Sequence, residues 1–122
     1  MQKSPREFPR RGHIYTADLD PAFGREIHKK RPVLVISSDI FNQGTPFAIV
    51  IPISSIIPDV TGPEMVEIGK LKGLSKKSVL LPLFIRSIDQ ERLHKKIADL
   101  PKEKLLEVED ALKLVLGMVS LD

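Results

Sequence analysis

The chain has 122 residues, no cysteine, and 19 Lys and Arg against 16 Asp and Glu, a net charge of +3. That length suits one domain burying roughly two-thirds of its unfolded surface, and the lack of cysteine excludes both a disulfide framework and a thiolate metal site. No stretch approaches the ~20 apolar residues of a membrane span, and the start lacks the apolar core of a secretory signal; a soluble, cytoplasmic protein is expected, and the mild positive charge favours an anionic partner without requiring one.

Residues 1–11 carry two prolines and four cations, which reads as a flexible basic arm and leaves 12–122 as a single domain. From Gly12 to Leu19, Tyr15, Ala17 and Leu19 alternate with His13, Thr16 and Asp18, the pattern of a strand with one half-wet face. Asp20-Pro21 and Gly24 open a loop crowded with charge: Arg25, Glu26, Lys29, Lys30 and Arg31. Pro32 ends it, and Val33, Leu34, Val35 and Ile36 run on as a strand buried on both faces. Arg31 therefore stands at the seam, carried by a rigid strand yet facing solvent.

Asp39 to Pro46 reads as a connection made of turns. Phe47 to Ile51 is an apolar strand that Pro52 interrupts, which points to an edge or a bulge, with Ser54 and Ser55 emerging at its end. A short strand is expected at Met65–Ile68, then a basic connection from Gly69 to Lys77, and two extended pieces at Ser78–Leu81 and Leu83–Ile88 around Pro82. One helical turn is expected in Asp89–His94 and a strand at Lys96–Leu100. From Pro101 the period changes: Leu105, Val108, Leu112, Val115 and Val119 recur at three- and four-residue steps, predicting a helix of about five turns. Many short strands followed by one helix give a mainly β fold, a small curled antiparallel sheet or barrel.

Asp18, Asp20, Glu26 and Asp39 offer oxygen ligands, but no histidine pair has zinc spacing and no calcium-loop pattern occurs, so neither a metal nor another cofactor is expected. His13, His28 and His94 lie in unrelated settings, and the chain has no nucleophile elbow, phosphate-binding loop or dinucleotide fingerprint. What remains is Arg31 on its strand, Glu26 in the preceding loop and Ser54 at the end of the next strand. Antiparallel pairing of the two strands would bring Arg31 beside Ser54. Such a set suits RNA cleavage, where the substrate's 2′-OH is the nucleophile and the enzyme supplies charge stabilisation and proton transfer. Arg31 would stabilise charge, Ser54 would donate a hydrogen bond and Glu26 would act as base. An exposed arginine, a loop glutamate and a strand-end serine also occur in proteins with no such activity.

Gly12-His-Ile-Tyr-Thr-Ala-Asp-Leu-Asp-Pro21, Gly24-Arg-Glu26, Lys30-Arg-Pro-Val-Leu-Val-Ile-Ser-Ser-Asp39 and Asn42 resemble the amino-terminal signature of the MazF/PemK toxin endoribonucleases. Ile49-Val-Ile-Pro-Ile-Ser-Ser55 resembles that family's second strand motif, and Ser78-Val-Leu-Leu81 with Ile85-Arg-Ser-Ile-Asp89 and Arg92-Leu93 its third. The resemblance implies a homodimer of SH3-like barrels related to the CcdB fold. It also implies metal-independent cleavage of single-stranded RNA to 2′,3′-cyclic phosphate and 5′-hydroxyl ends, and inhibition by a cognate antitoxin with a partly disordered tail. It places the catalytic pair on Arg31 and Ser54 and the loop glutamate on Glu26, with Lys29, Lys30, His28, Asp18, Asn42 and Arg86 as RNA-binding candidates.

Three positions depart from the family's habit. Ser54 stands where threonine is usual, Ile27-His-Lys-Lys30 replaces glutamine and small residues, and Pro82-Leu83-Phe84 replaces a stretch that often ends in glutamine. Independently of the family, Lys29, Lys30, Lys70, Lys72, Lys76 and Lys77 could form an electrostatic track, with Phe23, Phe41 and Phe84 as stacking candidates. Two alternatives stay open: a gyrase-directed poison on the same fold, and an RNA-binding module without turnover.

Overall fold

The computed structural model describes residues 8–20, 23–26 and 29–120. Among these residues there are seven strands, β1 (His13–Asp18), β2 (Lys30–Val35), β3 (Phe47–Ser54), β4 (Val66–Gly69), β5 (Ser78–Leu80), β6 (Arg86–Asp89) and β7 (Leu93–Asp99), with helix α1 (Asp39–Gly44) between β2 and β3 and helix α2 (Lys102–Val115) after β7. All the strand pairs are antiparallel, in the order β4-β5-β3-β2-β1-β7, with β6 also pairing with β3. The mainly β fold with a C-terminal helix is thus the architecture read from the pattern.

β2 explains why the curled sheet needs two cores. Leu34 and Ile36 face a cluster with Ile14, Ile51, Ile53, Leu80 and Val108 that α2 covers, while Val33 and Val35 face a second with Ala17, Val50, Ile88 and Leu93. A strand buried on both faces must be apolar at every position.

Pro52 does not stop β3, contrary to the expected interruption; it pairs with Val33 of β2 in mid-sheet. Its carbonyl accepts from Leu81 N–H (3.0 Å) on the side where β3 changes partner from β6 to β5. Strand residues point N and O the same way, so the missing N–H falls in that gap and no ladder bond is lost.

Other boundaries move for local reasons. Asp39–Gly44 is a short helix rather than a run of turns, anchored by the buried Asn42. Pro82–Phe84 is a 3-10 turn with proline at its start, where an extended piece was expected, and Gln90–Arg92 is a second, with the Asp89 side chain accepting from Glu91 N–H. β7 begins at Leu93, earlier than Lys96. The last helix stops at Val115, short of five turns: Gly117 takes φ +73°, Met118 N–H donates to Lys113 O (2.7 Å) and Gly117 N–H to Leu114 O (3.1 Å). Those paired bonds satisfy carbonyls that a longer helix would have used, and only glycine turns left-handed there without strain.

Of the arm expected at 1–11, residues 1–7 lie outside the described residues, and Phe8 to Arg11 are docked. Arg11 donates to Ile36 O (3.0 Å) and Glu109 (2.6 Å), and Arg10 lies 4.2 Å over the Phe8 ring. This strap ties the β2 end to α2.

Candidate active site

Arg31 sits near the start of β2 and Ser54 ends β3. The register between them pairs Val35 with Val50, Leu34 with Ile51 and Val33 with Pro52. Continued by two residues, it sets Arg31 opposite Ser54, and opposite residues in an antiparallel pair share a face. Both line one cleft of about 550 Å³, together with Lys30, Thr16, Ser55 and Ile56. Its far wall is the β4–β5 loop, Gly73 to Lys76, and Pro32, Ile53 and Ile97 supply apolar lining.

Arg31 and Ser54 are both partly exposed, as a group that must meet solvent-borne substrate has to be. The Ser54 hydroxyl accepts from Ile56 N–H (3.1 Å), which orients Oγ at the strand end. Arg31 is opposite Ala17 on β1, a small buried side chain that leaves room for the guanidinium stem. Among the described residues no group of three histidines or carboxylates is placed to hold a metal ion.

The remaining candidates occupy several places. Lys30 lines the cleft. Lys29 adopts φ +72°, and its conformation is held by its N–H on Asp20 Oδ1 (2.9 Å) and its carbonyl, which accepts from Leu19 N–H (3.1 Å). A left-handed lysine costs about 1 kcal/mol or more, and these bonds hold that turn at the entry to β2. Glu26 does not line the cleft; its carboxylate accepts from Phe23 N–H and closes a turn. His28 lies outside the described residues.

Asp18 accepts from Asp20 N–H (3.0 Å), starting the same loop. Arg86 donates to Leu19 O (3.3 Å) and Arg92 to Asp18 O (3.1 Å) and Asp20 O, so two arginines clamp the loop's root. Asn42 is 1% exposed; its side chain bonds the Ser37 hydroxyl and Ser37 O, which makes it part of the frame. Phe23 and Phe41 are exposed and Phe84 half-buried, and none lines the cleft.

Several lining residues were missed by sequence reasoning. Thr16 was visible as the polar member of an alternating strand, but nothing local assigns it to the cleft. Ile97 of β7 and the loop residues Gly73 and Ser75 come from segments far apart in the chain and meet only because the sheet curls.

A small half-barrel backed by one helix, with Lys30, Arg31 and Lys76 around a cleft at its strand ends, defines a β protein able to accept an anion there. The chain belongs to the PemK-like, MazF-like toxins of type II toxin-antitoxin systems, whose family model matches residues 10–116. It is 41% identical over 114 residues to the endoribonuclease MazF of Staphylococcus epidermidis, covering 93% of this chain and 95% of that one. Its fold superposes on the crystal structure of MazF from Deinococcus radiodurans with a TM-score of 0.82 at 29% identity, over 91% of this chain and 98% of that one. A MazE-MazF crystal structure from the same organism is similar at TM-score 0.71 and 28% identity, over 91% of this chain and 98% of that one.

Proposed function

We propose that this toxin is a sequence-specific endoribonuclease that cleaves single-stranded RNA without a metal or other cofactor, and that Arg31 and Ser54 form its catalytic pair. The observation that carries the reading is their convergence in one cleft from two neighbouring strands. The family membership and the endoribonuclease names of its relatives support it.

In the step we infer, the 2′-oxygen of the substrate attacks the adjacent phosphorus as its proton is removed. The bond to the 5′-oxygen breaks, leaving a 2′,3′-cyclic phosphate and, once that oxygen is protonated, a 5′-hydroxyl. Charge accumulates on the phosphate oxygens, where the permanent cation of Arg31 and the Ser54 hydroxyl stabilise it. Lys30, on the same rim, adds to the field. The base is assigned to Glu26 on the resemblance alone, since its carboxylate closes a turn on Phe23. His28, Asp18 and Arg86 are assigned to RNA on the same ground and Lys29 on its charge as well, with Asp18, Arg86 and Lys29 acting by shaping the β1–β2 loop; Asn42, expected to bind RNA, is instead buried against Ser37 and holds α1.

The partners are an antitoxin with a partly disordered acidic tail, which would occupy the cationic cleft and fold on contact, and a second copy of this chain. Phe47 and Ile49 point outward from β3 while Ala48 and Val50 point inward, and Ile40 and Phe41 of α1 are exposed beside them. That apolar surface suits a homodimer. The site of action would be the cytoplasm, where mRNA is available; no helix among the described residues is long and apolar enough to cross a membrane.

The test is direct. Purified, antitoxin-free protein in EDTA should cut a long single-stranded RNA at discrete positions with the stated ends, and one 2′-deoxy sugar at a mapped cut should protect that site. Arg31→Ala should lose at least about 100-fold in rate while remaining folded by circular dichroism. Intact RNA with folded protein would sink the nuclease reading, and gyrase-dependent DNA breaks would favour the alternative.

A further inference from the structure

The catalytic pair occupies one side of a cleft much larger than a phosphate. At about 550 Å³ it falls in the range of sites that hold a ligand of several rings, roughly 300–1,000 Å³. Lys30 and Arg31 stand on one wall and Lys76 on the opposite one, with Pro32, Ile53 and Ile97 contributing apolar surface to the same cleft. Cations spaced along a groove are what tracks the backbone of a single-stranded nucleic acid, and here the bases meet aliphatic surface in place of an aromatic stacking platform.

The opposite wall is built to stay in place. Gly73 takes φ +103°, and a Cβ on it would lie 1.9 Å from Ile97 O of β7. The β4–β5 loop therefore rests backbone on backbone against the last strand of the sheet order, bringing the two ends of the curled sheet together. Leu74 N–H donates to Leu71 O (2.9 Å) and the Ser78 hydroxyl to Lys76 O (2.9 Å), which fix the loop on both sides of Ser75. Lys76 is carried by this held segment, whereas Lys70, Lys72 and Lys77 of the same loop do not line the cleft.

We propose that the β4–β5 loop is the second RNA-binding wall of the cleft, with Lys76 contacting a phosphate other than the one gripped by Arg31 and Ser54. This rests on the endoribonuclease reading and names how that site holds its strand. Gly73 is the positioning residue, acting through the contact with Ile97.

The salt dependence of binding tests it. The probe is a fluorescent RNA oligonucleotide spanning a mapped cut and carrying one 2′-deoxy sugar there, so that it is bound and not cleaved. Between about 50 and 200 mM salt, each phosphate contact on a single strand contributes about 0.7 to the slope of log K against log salt. Lys76→Gln should flatten the slope by about 0.7 and weaken binding of different RNA sequences alike. Lys76→Arg should restore the slope, and Lys113→Gln on α2 should leave it at the wild-type value. An unchanged slope in Lys76→Gln, or no binding of the probe by wild-type protein, overturns the proposal. If wild-type protein cuts no RNA, so that no cut can be mapped, the nuclease reading is removed, and the same salt titration on an unmodified single-stranded oligonucleotide decides the wall.

Discussion

The Asp99 carboxylate lies between His13 and Lys96, its Oδ1 3.1 Å from His13 Nε2 and 3.0 Å from Lys96 Nζ. Burial pushes the His13 pKa below the ordinary 6.5, Lys96 and Arg10 push the same way, and Asp99 and Asp39 oppose them. The unfolded chain therefore binds the proton more readily than the folded one. Stability should be fully present above the unfolded value of 6.5 and fall as pH drops from there through the lowered folded value. Asp99, held below its ordinary 3.8 chiefly by the hydrogen bond from Lys96, stays ionised through that window. Urea midpoints measured across pH 6.5 and below should fall less for His13→Asn than for wild type. Parallel curves would show that His13 does not carry the effect.

Among the elements, α1 is the one whose place depends most on a single distant side chain. Gln90 donates through Nε2 to the carbonyls of Asn42 (2.6 Å), Thr45 (3.0 Å) and Phe47 (2.9 Å), and its own N–H donates to Pro46 O (2.9 Å). One amide thus satisfies the end of α1 and the start of β3. Gln90→Leu keeps the bulk and removes the donor, taking away the buried bond to Asn42 O and the part-buried bonds to Thr45 O and Phe47 O, at a cost of about 1–3 kcal/mol. Chemical denaturation should show that loss, and a variant as stable as wild type would mean the carbonyls find other partners. The helix escaped sequence reading because six residues span less than two turns and cannot establish a period. The early start of β7 was hidden by His94, Lys95 and Lys96, three consecutive polar residues that mask alternation.

For the whole molecule, the proposed dimer turns on the apolar surface of α1 and β3. Phe41 is 66% exposed and Phe47 53%, and stable interfaces bury about 1,600 Å² in total, with charge depleted at their centre. Wild-type protein should sediment as a dimer, and Phe41→Glu with Ile49→Glu should give a monomer with unchanged far-ultraviolet circular dichroism. A double variant that remains dimeric would place the interface elsewhere.

What the amino-acid order settled alone is the inventory of elements dominated by near neighbours. The continuous Val33–Ile36 run had to be buried on both faces, and the period after Pro101 had to be a helix. The ordered motifs around Arg31 and Ser54 also carry the family resemblance. Tertiary structure alone decided that β3 passes through Pro52, since only the exchange of β6 for β5 shows where its missing N–H falls. It also decided the far wall of the cleft. Gly73 reads locally as one more loop glycine, and its requirement comes from Ile97, 24 residues onward in the chain. Short-range pattern records what each residue demands of its own backbone, whereas a cleft is made by segments whose approach is set by sheet curvature.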